Sequence, residues 1–100
     1  MNRRVTFSPR TRREIANLYD YIADSASEAV AARYIDRLER YCLGFELFGE
    51  RGTMRDDLKP GVRSVGFERR VTILFTVTAT EVLILRILYG GQDVEAALRD

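Results

Sequence analysis

The side chains that could do chemistry in this chain are few, and most are arginines. Arg63, Arg69, Arg70 and Arg86 fall in or beside a β-forming run between residues 61 and 93. Arginine offers a planar fork suited to carboxylate, phosphate or backbone acceptors. Fifteen of the sixteen basic residues are Arg, and Lys59 is the exception. Genomic base composition produces such a bias as readily as function does, so the bias assigns nothing by itself. Histidine is absent and Cys42 is the single cysteine, which argues against a zinc site or a Cys–His nucleophile. Acid–base work would fall to Glu, Asp, Lys, Tyr or Arg. Asp56 and Asp57 are adjacent in a loop and read as solvated carboxylates, since Mg²⁺ sites draw carboxylates from converging elements. There is no phosphate-binding glycine loop with its Lys, no G-x-G-x-x-G and no G-x-S-x-G elbow. The expectation is a protein with no catalytic residue, metal or cofactor.

Arg86 is the sharpest of the arginines because of its surroundings. The segment 81–88 is apolar on both faces: Leu83, Leu85 and Ile87 on one, Val82, Ile84 and Leu88 on the other, with Arg86 among the latter. Such a run reads as a central strand covered on both sides. A cation there needs a partner. An internal carboxylate is the favoured one, and an acceptor on a bound protein chain is the alternative. Segment 70–77 alternates, with Val71, Ile73, Phe75 and Val77 on one face, as a half-buried strand does. Thr78-Ala79-Thr80 joins the two as a hairpin. A weaker strand, 62–67, precedes them, with Glu68-Arg69 as its turn. The second face of this meander is expected to need cover from a partner.

The elements before it position that sheet. Val5 and Phe7 mark a short first strand. Ser8-Pro9 signals a helix start, with Thr11 and Glu14 as a competing capping box. The first helix runs to about Asp24, with Ile15, Leu18, Tyr19 and Ile22 on one face. Arg10, Arg12 and Arg13 sit in its first turns, where the helix dipole disfavours cations; they read either as an interaction surface or as a solvated face. Ser25 and Ser27 compete to cap a second helix that runs to about Phe48. Its main stripe is Ala31, Ile35, Leu38, Cys42 and Phe45, so Cys42 reads as a buried, inert thiol. A second stripe, Tyr34, Tyr41 and Phe48, either packs the seam between the helices or offers aromatics to a partner. Gly49 closes the helix. The loop 50–61 carries six charges and two glycines, and long loops tend to be functional or mobile. Gly90-Gly91 ends the last strand, and Asp93 is placed to cap a final turn through Leu98.

One hundred residues make one domain, 1–100, with a single core. The net charge of +1 gives no field for nucleic acid or membrane. The lone cysteine fits a reducing cytoplasm. No apolar run follows the N-terminal charges as in a signal peptide, and none reaches the length of a membrane span. The order β-α-α-β-β-β gives the α+β class, a helix hairpin packed on a small antiparallel sheet.

Those segments, in that order, resemble the ParE branch of the RelE/ParE toxins of bacterial type II toxin–antitoxin modules. The likeness runs through SPRTRREIANLYDYIA, EAVAARYIDRLE, RDDLKPGVR and VTILFTVTATEVLILRILYGGQD, nearly the whole chain. No one motif is diagnostic; their order and spacing carry the match. The ribonuclease branch relies on strand cations and often a Tyr near the C-terminus. Here Thr72-Ile73-Leu74 and Gln92 stand where that branch often has Arg, and no Tyr follows Tyr89. The resemblance therefore implies an inhibitor of DNA gyrase that does no chemistry. Tyr89, where many ParE-like sequences have His, departs from that branch. A ribosome-dependent mRNA endoribonuclease is the alternative, and an inactive homologue acting as antitoxin-bound co-repressor is a third. The resemblance also implies a ParD-like antitoxin in a hetero-oligomer, DNA reached only through that antitoxin, and no membrane. Residues expected at partner surfaces are Arg63, Arg86, Tyr89, Tyr34, Tyr41, Phe48, Val82 and Ile84.

Overall fold

The computed structural model describes residues 2–90, 92 and 94–98. The expected roles of Gly91 and Asp93 lie outside the described residues. The elements are β1 (Arg4–Phe7), α1 (Pro9–Ser25), α2 (Glu28–Leu43), α3 (Phe45–Phe48), β2 (Thr53–Met54), β3 (Val62–Phe67), β4 (Val71–Val77) and β5 (Glu81–Tyr89).

Local chemistry fixes the helix starts. Ser8 Oγ accepts the Thr11 N–H at 3.1 Å and Pro9 occupies the first turn of α1. Ser27 caps α2 through Val30 N–H at 3.1 Å. Ser25, the competing cap, instead bonds back to the Tyr21 carbonyl at 2.6 Å. The second helix is not continuous to Phe48. Gly44 interrupts it, and the single turn α3 comes after the break. Gly favours such a break because it gains least from staying helical.

The five strands form one sheet in the order β1-β5-β4-β3-β2. The sheet is mixed, which corrects the expected antiparallel one: β1 runs parallel to β5 and all other pairs are antiparallel. A three-strand meander ends in the direction it began, so β5 points the same way as β3. The short β1 enters beside β5 in that direction too. In the three residues between β3 and β4, a tight turn closes with the Arg70 N–H on the Phe67 carbonyl at 3.2 Å, and Glu68 and Arg69 have φ of 49° and 63°, the left-handed region that tight hairpin turns use. The β2 pairing is not expected from the sequence; it pins part of the charged loop to β3.

The pairing of β4 with β5 shifts by one residue, from Leu74 opposite Arg86 to Phe75 opposite Ile84. Leu85 is the extra residue of this bulge, and a bulge exchanges the faces of the residues on either side of it. Val82 and Ile84 therefore share the helix-side core with Ile87, while Arg86 and Leu88 belong to the other side. That corrects the sequence grouping of Val82, Ile84 and Leu88 on one face. The helix-side core joins Leu18 and Ile22 of α1 and Ala31, Ile35, Leu38 and Cys42 of α2 to Phe45 and the sheet.

The second face is covered by the chain itself, not left open for a partner. Val62, Leu74 and Leu88 are buried with Ala97, and Leu58, Val94 and Leu98 pack around them. The C-terminal segment 94–98 and the loop before β3 thus supply the missing layer. Among the described residues no helix is long and apolar enough to cross a membrane.

Candidate functional site

Three places gather the polar and aromatic residues of interest. The first lies on the edge of β5. Because β1 pairs only with residues 81–84, the rest of that edge is open, and α1 runs along it. Ser8, Thr11 and Glu14, three apart on one helix face, serve the exposed backbone there. Ser8 N–H donates to the Ile84 carbonyl at 3.0 Å, and Thr11 Oγ1 donates to the same carbonyl at 2.9 Å. Glu14 Oε1 accepts the Ile87 N–H at 2.9 Å. Thr11 and Glu14 are therefore not a capping box; the bulged strand uses them instead.

Arg86 joins this arrangement. Its Nε and Nη2 both lie 2.7 Å from Glu14 Oε2, and Nη1 donates to the Ala97 carbonyl. The guanidinium is committed to an internal carboxylate and to the C-terminal segment, and Arg86 is only 8% exposed. Val82 and Ile84, expected at a partner surface, are fully buried beneath the helices, so they present nothing to a partner.

The second place is the tyrosine cluster at the far end of β5. Tyr34 is buried, edge-on to Phe67 at 5.8 Å, with the Arg37 guanidinium 5.3 Å above its ring. Its hydroxyl has no hydrogen-bond partner among the described residues. Burial pushes this phenol up, Glu68 and Tyr89 add to the rise, and Arg37 and Arg70 oppose it. Arg37 also forms an exposed two-pronged ion pair with Glu68, at 2.9 and 3.0 Å. Tyr89 packs on the exposed ring of Tyr21 at 5.5 Å.

The third place is a groove of about 520 Å³ beside α3, lined by Arg3, Tyr41, Leu47, Phe48, Arg51 and Val65 among others. The Arg51 guanidinium lies 4.9, 5.4 and 5.9 Å from the ring centres of Phe45, Tyr41 and Phe48. Such cation–π contacts hold the group in place. Arg51 Nε donates to the Phe48 carbonyl at 2.8 Å, and Arg63 Nη1 donates to the Arg51 carbonyl at 3.3 Å. The aromatic stripe thus divides. Tyr34 and Tyr41 both pack on Phe67 of β3, in the seam between helix and sheet and not between the helices, whereas Phe48 is 66% exposed.

Of the expected surface residues, the groove brings together Tyr41 and Phe48, and Arg63 touches it only through the Arg51 carbonyl. It leaves out Tyr34, Tyr89 and Arg86. Sequence reasoning missed Arg3, Leu47 and Arg51. The available signal was the run Phe45 to Phe48 with Arg51 three residues later, hidden because 50–61 reads as an undifferentiated loop.

The remaining candidates are structural. Asp57 is clasped by Arg55 at 3.0 and 2.9 Å, which lowers its carboxyl from the usual range, and Asp56 accepts the Gly61 N–H at 2.8 Å. Arg10, Arg12 and Arg13 are exposed. Cys42 is fully buried, and burial, with a smaller push from Glu39, raises its thiol to about 12.

Comparison with known proteins places these features in a family. A solved chain of the chromosomal ParDE toxin–antitoxin system from P. aeruginosa superposes with a TM-score of 0.77 at 20% identity, over 88% of this chain and 96% of that one; it shares the fold. No curated protein matches. The family described as the ParE toxin of the type II toxin–antitoxin system, parDE, matches residues 5–94. The chain accordingly belongs to the ParE toxin family of type II toxin–antitoxin systems.

Proposed function

We propose that the protein is a toxin that inhibits DNA gyrase by binding it, with no chemistry of its own, in the cytoplasm. A ParD-like antitoxin neutralises it in a hetero-oligomer and supplies the only contact with DNA. The observation that carries the non-catalytic part is the state of Arg86, the arginine buried within the sheet. Stabilising a cleaving phosphate needs cations free to meet it. Arg86 is held by Glu14 and Ala97, and Arg63 donates to the Arg51 carbonyl. The middle of β4, Ile73 and Leu74, is fully buried hydrocarbon. These residues support a protein that acts through its surface.

One observation favours the ribonuclease alternative: the unpartnered Tyr34 hydroxyl in the field of Tyr89 and Arg70. Burial raises that phenol, away from the range of a general base. The test runs two assays side by side on the pure protein, gyrase supercoiling with DNA cleavage, and cleavage of ribosome-bound mRNA. Perturbed gyrase with intact mRNA is expected. Codon-specific cuts in mRNA with gyrase unaffected would reverse the ranking, and silence in both assays would leave the co-repressor function.

A further inference from the structure

We propose that the free chain pairs with a second copy of itself through the cleft between the start of α1 and the end of α2. Leu43 of each copy enters the cleft of the other, and Arg12 of each faces Glu39 of the other across a two-fold axis. The association is a property of the fold and does not depend on what the toxin inhibits.

The cleft holds about 450 Å³ and is lined by Phe7, Arg12, Ile15, Glu39 and Leu43. Arg12 and Ile15 lie three apart on α1, and Glu39 and Leu43 lie four apart on α2, so each pair shares one helix face. Phe7 and Ile15 are half-buried against the helix-side core. Leu43 belongs to neither core and is 51% exposed. The surface therefore carries an apolar recess and an apolar projection side by side, which is what reciprocal insertion needs.

Charge selects the occupant. Arg12 and Glu39 are both exposed, and among the described residues neither side chain makes a hydrogen bond or an ion pair. One cleft thus presents a cation and an anion, both unused. A partner surface of one sign would attract one of them and repel the other. A copy related by a two-fold axis satisfies both, because such an interface joins residue i to j and residue j to i. The groove beside α3 differs in this respect. Arg3 and Arg51 outweigh its one carboxylate, Glu50, which lies 4.0 Å from Arg3, so that groove would repel its own image. The net charge of +1 adds little repulsion between whole copies. Exposed ion pairs contribute little affinity. They fix the orientation, and burial of the two Leu43 side chains supplies the attraction. Two leucines and two exposed ion pairs make a weak, reversible dimer.

The test follows the purified chain by sedimentation equilibrium over a concentration series at near-physiological salt. A monomer–dimer equilibrium is expected, and Leu43→Asp should weaken it by about tenfold or more, the range of a change at an interface centre. Arg12→Glu and Glu39→Arg should each weaken it too, since each sets like charges opposite one another twice. Mixed in equal amounts, these two variants should associate again, because every pair across the mixed interface then has opposite signs. A contact between Arg12 and Glu39 within one chain would not be restored by mixing. Arg13→Glu, which has the same net charge as Arg12→Glu, should dimerise as the wild type does and should not rescue Glu39→Arg. All four positions are exposed, and urea melts check that the variants keep the fold. A wild-type chain that stays monomeric up to about 1 mM would overturn the proposal. So would a dimer that Leu43→Asp leaves intact, or one that Phe48→Ser abolishes instead. Failure of the two charge variants to associate on mixing would refute the two-fold pairing.

Discussion

Removing the Glu14 carboxylate should destabilise this fold more than any other single change on the protein's polar surface. Glu14 Oε2 receives two N–H bonds from Arg86, and Oε1 receives the Ile87 N–H. The side chains of Glu14 and Arg86 are 17% and 10% exposed, so solvent replaces little of the lost interaction. In Glu14→Ala the guanidinium keeps only the Ala97 carbonyl, and the Ile87 amide on a strand edge loses its acceptor. Rupture of a buried pair costs about 3 kcal/mol or more, and an orphaned amide adds about 1 kcal/mol, for a total of ~4 kcal/mol. That is a large share of the roughly 5–15 kcal/mol expected for a domain. Arg86→Met should cost about 3 kcal/mol, since Glu14 then retains only the Ile87 amide. The double variant should be more stable than the sum of the two implies, with a coupling of about 2 kcal/mol, because neither charge is left unpaired. Urea melts with an unchanged denaturant slope measure all three. Single costs below about 1 kcal/mol that add without coupling would show the pair to be an ordinary surface bridge.

The core thiol and the loop give further tests. Cys42 should react slowly with a thiol reagent in the native protein, and Cys42→Ala should bind antitoxin as before; fast labelling would contradict its burial. Its thiol is raised from 9.0 to about 12 in the fold. The stabilisation from keeping it protonated is complete below about pH 9 and is lost as pH rises toward about 12. Urea melts between about pH 8 and 11 should therefore show falling stability, less steep in Cys42→Ala. Gly52→Ala should destabilise by more than ~2 kcal/mol, because φ is +75° and the new Cβ would meet the Ser64 carbonyl oxygen at 2.2 Å. Gly61→Ala, with φ of +83° but open space, should cost only about 1 kcal/mol; equal losses in the two melts would discount the clash. Breaking the exposed Arg37–Glu68 pair should barely move the urea midpoint, and less still in high salt.

The parts of the fold that local chemistry controls are legible in the sequence. Ser8-Pro9, the alternation in 70–77 and the two tight turns each encode their own geometry within a few residues. The features that escape depend on distant partners. Nothing local tells β1 to lie parallel to β5. The bulge at Leu85 is invisible because a run apolar on both faces has no alternation to interrupt. The sequence shows that Arg86 needs a partner, but Glu14 lies 72 positions earlier. The cover on the second face goes unseen because residues 94–98 show little hydrophobic periodicity in so short a span. At the groove, Tyr41 and Phe48 stand out by their types. Arg51 draws its meaning from three rings that only the folded chain assembles.

The most direct measurement bears on whether the protein acts by occupancy or by turnover. Purified chain is titrated against a fixed concentration of gyrase, and supercoiling is monitored, with and without antitoxin. An inhibitor that works by binding should reach full effect when toxin saturates gyrase. The titration should shift in step with gyrase concentration, and one equivalent of antitoxin should reverse it. Loss of translation at toxin concentrations far below that of the ribosomes, with cut mRNA and unaffected gyrase, would contradict the proposed mechanism.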